Sequence, residues 1–252
     1  MVFTISGGLY KSRKLVAPKG DATRPTSSRL RQAVFNIIRN EVEESSFLDL
    51  FAGSGAMGLE ALSLGACRSV FIDNSKESIR CIQTNVETLK VENRAQIIYG
   101  DVFVELTKLI KRGASFDIIF ADPPYALMGK DGNCIKPSLS LAVLDLVLAN
   151  QNILAKGGSL LLEDSLYSGH LNPGKFDKEA AQVFVSGTSD HCHRQGASED
   201  QKISAKPTPS KFQDSGGLSI YAQLRLKVDE DIILKSSREM GKTILHHYIK
   251  RL

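Results

Sequence analysis

The sequence predicts an α/β fold built on a doubly wound parallel sheet, and three observations carry that prediction. The first is Phe47-Leu-Asp-Leu-Phe-Ala-Gly-Ser-Gly-Ala-Met-Gly58, an apolar strand that turns on Gly53 and Gly55 and runs into a helix opening at Gly58. The second is the regular alternation of short apolar runs with helical patterns between Phe47 and Glu163, the signature of parallel strands joined by crossover helices. The third is that Gly53, Asp73, Asp101 and Asp122 all fall where predicted strands end. In open α/β sheets ligands bind at those carboxyl ends.

In chain order, residues 3–17 alternate loosely around Gly7-Gly8, so a hairpin of Thr4–Ser6 with Lys14–Ala17 is expected. Pro18 to Thr26 reads as a turn-rich connector. Thr26 or Ser27 can cap a helix starting near Ser28, where Leu30, Ala33, Val34, Ile37 and Ile38 recur at helical spacing. Its other face carries Arg29, Arg31 and Arg39 and is expected to meet phosphate. The predicted core strands are Phe47–Phe51, Ser69–Asp73, Ala95–Tyr99, Phe116–Ala121 and Ser159–Glu163. Helices are expected near Gly58–Leu64, Lys76–Leu89, Phe103–Lys111 and Leu139–Leu148. Ser186 to Gly217, rich in Ser, Gly, Lys, Pro and Gln, reads as a loop or disordered insertion. Structure is expected to resume with Leu218–Val228, Asp231–Lys235 and Lys242–Lys250. The division this implies is a basic extension over 1–40, a core from 41–164 with 228–252, and a poorly ordered insertion over 165–227.

The 252 residues, 42% hydrophobic and 24% charged, suit one α/β domain with an appendage. No apolar run approaches the ~18 residues of a membrane-spanning helix, and Met1–Gly8 lacks the pattern of a signal peptide. A cytoplasmic protein is expected. Cys67, Cys81, Cys134 and Cys192 show no C-x-x-C spacing, so neither a disulfide framework nor a metal site is expected. His191-Cys192-His193 has the wrong spacing for a structural zinc site. His246 and His247 are adjacent on a strand, point to opposite faces and make poor co-ligands. The net charge of +4 is unevenly spread: residues 1–40 carry +7 and the remainder −3. A basic block on a near-neutral body points to a polyanionic partner.

Gly53-x-Gly55-x-x-Gly58 fits a fingerprint in which glycines let backbone approach a ligand at a helix N-terminus. Asp73, twenty residues after Gly53, is placed to accept both hydroxyls of a ribose. The strand Phe116–Ala121 then ends in Asp122-Pro123-Pro124-Tyr125. A nicotinamide dehydrogenase has no use for that motif; an enzyme holding a flat, amine-bearing ring against a methyl donor does.

These segments together resemble the class I S-adenosylmethionine-dependent methyltransferases. More narrowly they resemble the RsmD family of bacterial 16S ribosomal RNA (guanine-N2) methyltransferases. The resemblance rests on Ile5–Leu15, Thr23–Arg31 with Phe35-Asn36, Asp49–Gly55, Asp122–Tyr125 and Arg238–Thr243. It implies a Rossmann-like sheet of about seven strands with the last strand antiparallel, and an N-terminal hairpin-helix extension. It implies S-adenosyl-L-methionine as donor, with Asp49, Ala52, Gly53, Ser54 and Gly55 around the methionine end. Asp73 would hold the ribose, and Asp101 and Val102 would lie beside the adenine. Asp122, Pro123, Pro124 and Tyr125 would pass the methyl group. Lys11, Arg13, Lys14, Arg24, Arg29 and Arg31 would contact ribosomal RNA, within an assembling small subunit, the enzyme acting as a monomer. DNA or protein-glutamine amino-methylation, and a non-catalytic RNA-binding role, are the alternatives of the same fold.

Overall fold

The computed structural model describes residues 2–18, 28–124, 127–128, 134–136, 139–165, 230–240 and 243–252. The expected Thr26 or Ser27 cap, Arg24, Tyr125, His191-Cys192-His193, the Leu218–Val228 strand and the insertion beyond Ser165 lie outside them.

The N-terminal hairpin pairs β1 (Val2–Thr4) with β2 (Lys14–Val16), closing slightly earlier than the alternation predicts. Helix α1 (Ser28–Ile37) follows, burying Leu30, Val34 and Phe35. From there strands and helices alternate: β3 (Ser46–Leu50), α2 (Ala56–Ser63), β4 (Arg68–Asp73), α3 (Lys76–Leu89), β5 (Ala95–Tyr99), α4 (Val102–Lys111) and β6 (Phe116–Ala121). A two-stranded ribbon of β7 (Leu127–Met128) and β8 (Cys134–Lys136) precedes α5 (Ser140–Ala149). The last strands are β9 (Leu154–Ser165), β10 (Ile232–Met240) and β11 (Thr243–Lys250). β9 and β10 outrun their predicted lengths, because their partially exposed ends lack the continuous apolar run that marks a buried strand.

Seven strands form one sheet in the order β10-β11-β9-β6-β3-β4-β5. β3 pairs in parallel with both β4 and β6, and β6 in parallel with β9. β11 runs antiparallel to both β9 and β10. This is the expected doubly wound, Rossmann-like sheet with its last strand reversed. The chain leaves central β3 toward β4 on one side and returns through β6 on the other, so the crevice that takes ligands in such sheets opens above β3.

Side chains alternate across the sheet and build a core on each face. On one face Phe47, Phe71 and Phe120 pack with α1, α2, α3 and the hairpin, through Ile5 and Leu15. On the other, Leu48, Leu50, Val70 and Ile72 pack with α4 and α5. Because the hairpin and α1 cover α2, all eight of its residues are buried, Glu60 included. Among the described residues no helix is long and apolar enough to cross a membrane.

Candidate active site

The turn after β3 is shaped by backbone that ordinary residues avoid. Phe51, Gly53 and Gly55 have φ of 58°, 55° and 76°, the left-handed region in which a side chain costs about 1–2 kcal/mol. Gly55 donates its N–H to the Ala52 carbonyl at 2.7 Å, and Ala52 donates to Ile72 of β4 at 3.0 Å. The glycines do different work. A Cβ on Gly53 would meet nothing closer than 4.0 Å, so the backbone there is open to a ligand. A Cβ on Gly58 would lie 2.3 Å from both Phe71 and Ser69. Gly58 is what lets α2 seat on β4.

Two carboxylates brace this turn. Asp49, on β3 and 1% exposed, accepts the N–H of Gly58 at 2.9 Å. Asp73, at the end of β4, accepts the N–H of Gly53 at 2.7 Å through Oδ2 and that of Ser75 at 2.8 Å through Oδ1. Each carboxylate oxygen has a second lone-pair site, so these bonds leave Asp73 able to receive a pair of hydroxyls. Asp122, half-buried at the end of β6, completes the group. Burial holds the Asp49 carboxyl well above the usual carboxylate range, and the neighbouring Asp73 and Asp122 charges push it further. The Gly58 bond only partly opposes this. Three acids thus meet at adjacent strand ends, where a cationic ligand would favour their ionised forms.

Asp101 caps α4, its Oδ1 accepting from Phe103 at 3.0 Å and Val104 at 3.1 Å, while the residue itself is exposed. Val102 is 3% exposed and packs into the α4 face of the core. Ala52 and Ser54 are buried within the turn; Pro123 is buried and Pro124 exposed beyond it. The structure therefore gathers Asp49, Ala52, Gly53, Ser54, Gly55, Asp73, Asp101, Val102, Asp122, Pro123 and Pro124 along one end of the sheet.

The basic residues divide. Lys11, Arg13, Lys14 and Arg29 are exposed. Arg31 is not: it is 2% exposed, with Nε 3.6 Å from Glu60 Oε2 and Nη2 donating to the Thr4 carbonyl at 2.9 Å. The expected phosphate contact by Arg31 is corrected accordingly. Its charge is consumed inside the protein, because Glu60 sits buried in α2 and needs a cation. Ser6 and Gly7 add their N–H groups to the same carboxylate at 2.9 and 2.8 Å. Arg39 lies beyond the end of α1, so it does not extend that helix face.

Two residues of this region escape motif reading. Glu60 anchors the hairpin, and Asn85, 1% exposed on α3, bonds both the hairpin and the glycine turn. Each leaves a faint trace in sequence as a polar residue among apolar ones on a buried helix face, Asn85 lying between Ile82, Val86 and Leu89.

A family model described as "Conserved hypothetical protein 95" matches residues 3–178. The chain belongs to that family, the RsmD family. Of its relatives, YlbH of Bacillus subtilis is 38% identical over 121 residues, 48% of this chain and 66% of that protein. Ribosomal RNA small subunit methyltransferase D of Escherichia coli K12 is 36% identical over 121 residues, 48% of this chain and 59% of that protein. The chain thus spans less than two thirds of the length of either relative. Among solved structures, yhhF from Escherichia coli superposes with a TM-score of 0.63 at 22% identity, covering 100% of this chain and 99% of that one. The likeness to that structure is one of fold.

Proposed function

We propose that this protein transfers a methyl group from S-adenosyl-L-methionine to the N2 amine of a guanine in small-subunit (16S) ribosomal RNA. The observation that carries the reading is the convergence of Asp49, Asp73 and Asp122 beside an open glycine turn. Family membership adds to it, as do relatives named for ribosomal RNA small-subunit methylation in Escherichia coli and Haemophilus influenzae.

The residues present fit the donor. Its net positive charge suits a place bordered by carboxyl groups, and the open face of Gly53 admits its methionine end against backbone. Asp73 takes the ribose hydroxyls, while Asp101 and Val102 border the adenine. When bound, the donor supplies a methyl group on a positively charged sulfur. The guanine amine is a poor nucleophile because its lone pair is delocalised into the ring. The Asp122 carboxylate and a backbone carbonyl at Asp122–Pro123 accept its two hydrogens, which localises that lone pair toward the methyl carbon. Tyr125 stacks on the base and fixes the line of approach. Lys11, Arg13, Lys14, Arg24 and Arg29 grip phosphates, and the target base is flipped out or already unpaired. The setting is the cytoplasm, on an assembling small subunit, with the enzyme as a monomer.

The test is transfer of labelled methyl from S-adenosylmethionine to four acceptors: small subunits lacking the modification, naked ribosomal RNA, duplex DNA and a bacterial protein extract. N2-methylguanosine from either ribosomal acceptor is expected. Label in DNA or protein instead overturns the acceptor, and no label despite donor binding leaves an RNA-binding protein without catalysis. Replacing Lys11, Arg13 and Lys14 together by Ala should weaken RNA binding and flatten its logarithmic salt dependence by about 2–3 in slope. An unchanged slope takes that block out of the RNA path.

A further inference from the structure

Asn85 makes three hydrogen bonds, and they join two parts of the molecule with different tasks. Its Oδ1 accepts the N–H of Val16 at 2.8 Å, and its Nδ2 donates to the carbonyl of the same residue at 2.8 Å. The amide thereby satisfies the outward edge of β2 as a neighbouring strand would. The same Nδ2 also donates to the carbonyl of Ser54 at 3.0 Å. A side-chain amide has two N–H groups, and both are spent.

The Ser54 contact falls on a decisive peptide. The plane joining Ser54 to Gly55 is rigid. Its carbonyl is held by Asn85, and its N–H is held by the Ala52 carbonyl at 2.7 Å. Gly55 stands immediately beyond it at φ 76°, so rotation of that one plane would redirect the turn that faces the ligand. Nothing else among the described hydrogen bonds reaches the Ser54 carbonyl from outside the turn.

We propose that Asn85 is a positioning residue for the donor, tying the N-terminal hairpin and the glycine turn into one mechanical unit. Order in the hairpin and affinity for the donor then rise and fall together. This deepens the reading given above and rests on its assignment of the turn to the donor.

The experiment is calorimetric titration of the full-length chain with S-adenosylhomocysteine, in wild type and two variants. Asn85→Asp keeps size and removes both donors, setting a carboxylate against two carbonyl oxygens. Val16→Pro removes the hairpin's N–H to Asn85 and leaves both partners of the Ser54 contact in place. The expected result is a Kd raised at least tenfold in Asn85→Asp and severalfold in Val16→Pro, with stoichiometry near one in both. A purely supportive role would lower the stoichiometry, through unfolded protein, at unchanged Kd. Unchanged Kd in both variants overturns the inference. A change in Asn85→Asp alone overturns the link to the hairpin. Failure of the wild type itself to bind overturns the donor assignment and this inference with it. Because no acceptor is involved, an error about the RNA substrate leaves the result unaffected.

Discussion

Two groups of polar side chains, one at the ends of the central strands and one beside β9 and β11, are built on opposite plans. At the carboxyl ends of β3, β4 and β6, Asp49, Asp73 and Asp122 bring three carboxyl groups together, with backbone N–H groups donating to Asp49 and Asp73. Near β9 and β11, Ser159 donates to Glu41 at 2.5 Å and lies 2.8 Å from Nε2 of His247. With the serine's only proton given to Glu41, His247 donates from Nε2, and burial keeps the ring neutral by lowering its pKa. That chain is closed on itself, with Ser159 and His247 both within 1% of full burial. A Glu, a Ser and a His in line invite a catalytic reading, yet the serine and the histidine are shut away from solvent and of the three it is the Glu41 side chain, 31% exposed, that reaches the surface. Like charges gathered at strand ends suit a ligand's place, whereas Glu41, Ser159 and His247 are bonded to one another within the protein.

The comparison breaks most sharply at Asp122. Asp122→Ala should lower methyl transfer by about a thousandfold or more while S-adenosylhomocysteine binding stays within a few-fold, the loss expected when a group acts mainly in the transition state. Undiminished turnover would remove Asp122 from the chemistry.

His247 tests the closed group. Burial lowers its pKa from 6.5 to about 4, with Glu41 opposing and Lys235 and Arg238 reinforcing. The unfolded chain therefore takes up a proton first as pH falls. Stability is complete above about pH 6.5 and declines by ~3 kcal/mol on reaching pH 4. Urea unfolding at several pH values should show that decline in wild type and its absence in His247→Gln. Equal slopes would mean that this imidazole does not govern acid sensitivity.

The smallest effect is expected at Asp49, and its sign is the opposite. An acid whose folded pKa is raised costs stability as pH rises above its unfolded value of about 4. Asp49→Asn keeps an acceptor for Gly58 and removes the charge. The variant should match wild type at pH below 4, melt higher at neutral pH by about 2–4 °C for each kcal/mol relieved, and bind the donor more weakly. A variant that gains stability without losing affinity would show that the pocket's charge does not serve the ligand.

The sequence made the open pocket legible and left the closed one hidden. Gly53, Asp73 and Asp122 sit at strand ends that hydrophobic runs announce, so their convergence follows from topology alone. β5, β6 and α3 also lie where periodicity places them. Arg31 stands two residues from Arg29, about 200° around the helix and so on its opposite face; its burial depends on Glu60, twenty-nine residues away and brought near by tertiary packing. Glu41, Ser159 and His247 come from three distant segments and share no motif. Asn85 was missed for the same reason: a single polar residue on a helix reveals its partners only once the hairpin is folded against it.

The placement of β11 bears on how this protein is made. The strand that is latest in chain order lies inside the sheet, between β9 and β10, not at its border. Until residues 243–250 have been synthesised, β9 presents an unpaired, largely apolar edge, the kind of template that recruits other chains. Seven residue pairs along β9 wait for β11. The interval between translating one and the other, about seventy-seven residues from Ser165 to Thr243 and hence about 4–15 s of elongation, is when the nascent protein is most exposed to aggregation and most in need of a chaperone.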